Sequence, residues 1–137
     1  MASAKNEAKI KFTAETTEFN KAIQSANAYL KQLRSELQLN ATEMKNGGDQ
    51  TETLKEKFRL LSEQFDTAGL KVEAMRGKVA AAVAIYGEGS NEVAKWRAEL
   101  ANAENVQEKV RQQLEQCSAE ITRNVTATGN AQSAYAK

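Results

Sequence analysis

The sequence contains no histidine and no proline, one cysteine, 6% aromatic residues and almost no surplus of charge of either sign. Without histidine, the commonest metal ligand and the side chain best suited to acid–base catalysis at neutral pH are missing. The single cysteine, Cys117, makes no intrachain disulfide. With no proline, no position forbids a helix on covalent grounds, so helices far longer than a globular domain normally carries are open to the chain. The formal net charge is +1, and acids and bases are interleaved with no basic block that could neutralise a row of phosphates, so a nucleic-acid partner is not expected. No apolar run approaches the about 18 residues of a spanning helix, so no membrane segment is expected in this chain. The start, Met1-Ala2-Ser3-Ala4-Lys5, lacks the apolar stretch of a signal peptide, which gives the expectation of a soluble chain inside the cell.

What the sequence does have is apolar spacing. From Lys9 to Phe12 the pattern alternates, with Ile10, Phe12 and Ala14 on one side and Lys9, Lys11 and Thr13 on the other. That predicts a short strand or extended arm within residues 1–15. No second strand pattern follows, so such a strand would pair with another copy or another protein; the competing reading is a disordered leader.

Thr16 or Thr17 is placed to cap a helix over about 17–46, whose apolar positions Phe19, Ile23, Ala26, Leu30, Leu33, Leu37 and Met44 step by four and three until Asn46-Gly47-Gly48. Asn40 falls in this seam, either as a buried amide that sets register or as a solvated residue near a helix end. A second helix over 50–86 opens at Asp49, with Glu52 three residues on as in a capping box. Its seam runs Leu54, Phe58, Leu61, Phe65, Ala68, Val72, Met75, Val79, Ala82, Tyr86. Gly69 and Gly77 lie off that seam; each weakens the helix by about 1 kcal/mol relative to alanine and marks either a close approach or a tolerated position. Residues 79–85 are apolar nearly all round, so a further helix of the same chain or another copy should cover them. Gly87-Glu88-Gly89-Ser90 breaks the pattern, and Ser90 caps a third helix over 91–124 with Val93, Trp96, Leu100, Ala103, Gln107, Val110, Leu114, Cys117 and Ile121 in its seam. The remainder, 125–137, is small, polar and weakly patterned, and is predicted to be a flexible tail.

The expected fold is therefore all-α: an elongated antiparallel three-helix coiled-coil bundle over 16–124 with a short N-terminal strand or arm. Its core should be built on Phe19, Ile23, Leu30, Leu33, Leu37, Leu54, Phe58, Leu61, Phe65, Val72, Met75, Val79, Trp96, Leu100, Val110 and Leu114. Ile10 and Phe12 on the arm, with Val83 and Ile85 on the alanine-rich end, are the candidate interaction residues. No catalytic, cofactor-binding or metal-ligating set is expected. The carboxylates alternate with lysines and arginines, and none sits in apolar surroundings that would drive a pair of pKa values apart. Gly87 and Gly89 lack the preceding strand and the lysine–serine pair of a phosphate loop. Cys117, at a seam position, should behave as a small buried apolar side chain, the alternative being a disulfide between copies.

Two stretches, Lys9-Ile10-Lys11-Phe12-Thr13-Ala14-Glu15-Thr16-Thr17-Glu18-Phe19 and Tyr86-Gly87-Glu88-Gly89-Ser90-Asn91-Glu92-Val93-Ala94-Lys95-Trp96, resemble the N-terminal region of the tail tape measure proteins of long-tailed bacteriophages and related prophages. The resemblance covers roughly residues 8–121. It implies a structural virion component, a largely helical ruler that sets tail length and fills the tail tube, made in the bacterial host cytoplasm and carried in the virion tail. It implies no active site and no cofactor in this region. Expected partners are other copies of the chain, in a homo-oligomer, and tail-tube or tail-assembly proteins. Full-length members are far longer and carry long hydrophobic segments that this chain lacks. It therefore corresponds either to a segment of such a protein or to a small protein sharing this module. The alternative reading is a cytoplasmic coiled-coil adaptor or tail-assembly chaperone that binds a partner helix along the alanine-rich end of the second helix.

Overall fold

In a computed structural model the chain forms four helices, α1 (Ala2–Glu15), α2 (Thr17–Lys45), α3 (Gln50–Tyr86) and α4 (Asn91–Ala136), and among the described residues no strand. The structure describes the backbone of 2–47 and 49–136 and the side chains of 4–47 and 49–125. Gly48, part of the predicted helix stop, lies outside the described residues. The chain divides into two compact units, one of Met1–Leu30 with Asp66–Gln107 and one of Lys31–Phe65 with Glu108–Lys137, so α2, α3 and α4 each contribute to both.

Local chemistry accounts for the turns. The Asp49 carboxylate accepts a hydrogen bond from the Glu52 amide at 3.2 Å, and the Ser90 hydroxyl accepts one from the Val93 amide at 3.1 Å, each satisfying an amide that a helix start leaves unpaired. Gly47 and Gly87 close α2 and α3 at φ 79° and 91°, a left-handed conformation that costs glycine nothing.

Two sequence expectations need correction. The predicted strand over Lys9–Phe12 lies inside α1. Four alternating residues are too short a pattern to outweigh a segment rich in alanine, lysine and glutamate. In a helix, residues two apart point about 200° apart, so Ile10 and Phe12 separate: Ile10 is 69% exposed and Phe12 8%. The inward stripe is instead half-buried Ala8, buried Phe12 and, just past the end of α1, buried Thr16, spaced by four.

Thr16 and Thr17 do not cap α2 either. Their hydroxyls donate back to the carbonyls of Phe12 (2.7 Å) and Thr13 (2.9 Å), while backbone bonds from Thr16 to Phe12 and from Asn20 to Thr16 carry the helical pattern through the junction. Back-bonding threonines of this kind bend a helix without ending it. The backbone of α4 continues through 125–136, and Lys137 at the end of the expected tail lies outside the described residues.

In the second unit, Leu54, Leu61 and Cys117 form a buried cluster, flanked by Leu37, Met44, Leu114 and Ile121. Leu33 is fully buried, and Leu60 nearly so at 1%. Asn40 is buried and donates to the Thr53 carbonyl at 3.0 Å, so the amide in the seam is an interior one tying α2 to the first turn of α3. In the first unit, Val72, Met75 and Ala103 are buried together, with Ile23, Trp96 and Leu100 against them. Leu30 and Val110 are buried as expected, while Phe19, Phe65 and Val79 are half-buried. Phe58 departs from the expected core and is 39% exposed. The reason lies in α3, which buries a second stripe at every seventh residue: Thr53, Leu60, Thr67 and Ala74. A helix with neighbours on two sides presents a wider apolar face than a two-helix seam, and this one is turned away from Phe58.

Gly77 turns out to be a close approach. A Cβ there would come to 2.5 Å from Phe19 Cζ, whereas at Gly69 it would meet only the Gln107 side-chain nitrogen, at 3.0 Å. Gly77→Ala should therefore destabilise by about 1 to 3 kcal/mol through overpacking, even though alanine is the better helix former. Gly69→Ala, opposed only by the tip of a flexible side chain, should be neutral or stabilising. Thermal melts of the two variants check the contrast; equal gains would show that the Phe19 ring yields at no cost.

Candidate functional site

The four candidate interaction residues do not share a surface. Phe12 inserts between α3 and α4 of the first unit, forming a buried cluster with Ala82 and Val93 against which Val83, Ile85 and Tyr86 pack. Its ring meets Tyr86 edge-on at 5.5 Å and Trp96 at 6.2 Å. The alanine-rich end of α3 is thus partly covered by α1 and α4 of the same chain, with Ala82 buried and Val83 and Ile85 half-buried, which leaves Ile10 as the exposed member of the set. Cys117 is 1% exposed with its sulfur 3.5 Å from the Leu54 carbonyl, and burial pushes its thiol pKa up, so the sulfur is enclosed and held as the neutral thiol.

Most ion pairs on the helix surfaces lie along single helices; Arg76 also reaches Glu104 of α4 at 3.4 Å, and Arg97 reaches Glu88 of the turn before α4. Arg59 reaches Glu56 and Glu63, and Arg111 reaches Glu108 and Glu115, at spacings of three and four. The Arg59 and Arg111 guanidinium groups hold the Glu56 and Glu108 carboxyls below the usual carboxylate range, by hydrogen bonding first. Pairs this exposed are screened by solvent and do no more than support the helix weakly.

One polar arrangement differs. Lys78 is only 7% exposed, and its ammonium lies 3.4 Å from the centre of the Trp96 ring, with the Lys95 ammonium at 4.8 Å. Desolvation lowers the Lys78 pKa, Lys95 lowers it further, and Glu99 opposes them. The residue lines a cleft between α2 and α4 whose floor is Ile23, Met75, Trp96 and Ala103 and whose rim carries Asn20, Gln24, Asn27, Lys71, Glu99 and Asn102. Heptad reasoning passed over Lys78. A signal was nonetheless present: the residues three and four positions away on either side are Ala74, Met75, Ala81 and Ala82, so no acid on its own helix can pair with it. Lys71 shares the feature, with Thr67, Ala68, Ala74 and Met75 at those spacings.

No family model, curated protein or solved structure matches this chain.

Proposed function

We propose that the chain is a structural component of a phage tail, the helical segment of a tape measure protein that contributes to tail length and fills the tail tube. The observation that supports this reading best is the packing of α3, whose leucine, valine, methionine and alanine face is buried in both units while its charges stay on the surface. Cohesion of that kind suits a mechanical part. The arrangement we infer is an antiparallel three-helix bundle with α1 as a short added helix, since later positions of α3 meet earlier positions of α4: Ala82 with Val93, Met75 with Ala103, Leu54 with Cys117. Other copies of the chain and tail-tube or tail-assembly proteins are its proposed partners.

The experiment uses the phage or prophage that encodes the chain. Peptides of the chain should be found in purified tails. Removing one heptad from each of α2, α3 and α4 keeps the helices in phase and withdraws about 10 Å of reach at 1.5 Å per residue, so averaged electron micrographs should show tails shortened by up to that amount. Tails of unchanged length would place the measuring length elsewhere.

A second reading, the coiled-coil adaptor or tail-assembly chaperone, keeps one observation in its favour. Its expected docking surface on Val83 and Ile85 is half-buried, but an apolar groove between α2 and α3 of the first unit remains, lined by Phe19, Ala22, Ala26, Tyr29, Leu70 and Ala74, with Leu70 67% exposed. A chain abundant in the infected cell and missing from finished tails would favour it over the virion reading.

A further inference from the structure

The cleft between α2 and α4 holds a cation that the fold has enclosed and not neutralised. Lys78 is 7% exposed and lines the cleft. Among the described residues no carboxylate comes within ion-pairing distance of it, and its one close partner is the Trp96 ring. Such a ring offsets part of the cost of burying an ammonium but accepts no strong hydrogen bond from it, so its three N–H donors are poorly matched. The remaining charges of the cleft are Lys71, Lys95 and Glu99; α2 contributes only the amides of Asn20, Gln24 and Asn27. Positive charge exceeds negative, and amide N–H groups stand around it.

We propose that this cleft binds a carboxylate carried on a short apolar skeleton, with the Lys78 ammonium as its principal donor. The floor decides between anions. Ile23, Met75, Ala103 and the indole offer apolar contact, which a bare and strongly hydrated phosphate cannot use and an aliphatic acid can. Lysine also presents a point charge and not the planar fork with which arginine grips phosphate. The carboxylate restores to Lys78 the countercharge that burial removed, while the side-chain amides of Asn20, Gln24, Asn27 and Asn102 are placed to donate to its second oxygen. The same chemistry is offered by a free small carboxylic acid and by a glutamate side chain of a partner protein. The site does not depend on the tail reading.

Trp96 is the sole tryptophan of the chain, so its fluorescence reports the cleft directly. The full chain is titrated with butyrate, with butyramide as the neutral isostere, with blocked glutamate (N-acetyl, N-methylamide) and with inorganic phosphate, at constant ionic strength set with sodium chloride. Butyrate or blocked glutamate should change the emission saturably, butyramide should not, and phosphate should act only more weakly. The tighter of the two carboxylates identifies the source, free acid or protein side chain. Side-chain amide signals of Asn20, Gln24, Asn27 and Asn102 in nitrogen-15 NMR of the unaltered protein should move in the same titration. Lys78→Met should weaken binding about tenfold or more, as the loss of a charged hydrogen-bond donor does. Lys78→Arg should retain most of it, and Glu99→Gln should tighten it by removing a competing charge. Absence of any saturable carboxylate effect in the unaltered protein overturns the proposal and leaves Lys78 as a packing cation on Trp96. Equal responses to butyrate and butyramide would do the same, as would phosphate binding more tightly than either carboxylate.

Discussion

Leu61→Ala should lower the free energy of unfolding by about 2 to 5 kcal/mol, the range for deleting a buried leucine side chain and leaving a cavity in its place. Leu61 is 2% exposed and packs with Leu54 and Cys117 among Leu37 and Leu114. Leu60→Ala should cost a similar amount, since Leu60 is 1% exposed although it lies off the heptad seam. Phe58→Ala removes a larger side chain from a seam position yet should cost less than about 1.5 kcal/mol, because Phe58 is already 39% exposed in the folded chain. Urea unfolding followed by far-ultraviolet circular dichroism, with the slope checked for constancy, measures all three. A Phe58→Ala loss as large as that of Leu61→Ala, with Leu60→Ala silent, would mean that α3 turns its simple heptad seam inward and that the wider face described here is wrong.

Phe12→Ala should have the second large effect, and a different form. Truncating a buried phenylalanine costs about 3 to 5 kcal/mol where the site is well packed. Here the cost is capped by the docking energy of α1, because a short helix whose one buried apolar side chain among the described residues is Phe12 can come away while the rest of its unit stays folded. The expected result is therefore local: Trp96 emission shifts to the red as its neighbour leaves, and amide hydrogens of α1 exchange rapidly while those of α3 stay protected. Ile10→Ala, at a position 69% exposed, should change neither observable. If Ile10→Ala and Phe12→Ala behaved alike, the two residues would share a face, as they do in a strand and not in a helix.

The positions of the turns were legible in the residues because their causes are local. Gly47 and Gly87 take up left-handed conformations, and Asp49 and Ser90 accept from amides three residues on. Most of the core was legible too, from Leu30 and Leu33 through Leu54, Leu61, Val72 and Met75 to Val110, since a four-three spacing places those side chains on one face whatever they meet. The candidate cleft was legible only as the lack of an acid three or four positions from Lys78 on its own helix. Lys78 reads as one more lysine on a helix surface until the distance to Trp96 is known.

By itself, the sequence determined that the chain is mainly helical, where α3 and α4 begin, where α2 and α3 end, and most of the apolar side of each. These follow from covalent and short-range effects: the lack of proline, glycine at the helix ends, caps one turn away and the period of the apolar residues. Only the tertiary structure decided that residues 9–12 are helix, that α3 buries Leu60 and exposes Phe58, that α1 partly covers the alanine-rich end, and that Lys78 is enclosed without a countercharge. Each of those depends on groups distant in the chain. Phe12 is held by Ala82, Tyr86, Val93 and Trp96, and burial is a property of the surfaces that meet, which the spacing of one helix specifies only for its own side.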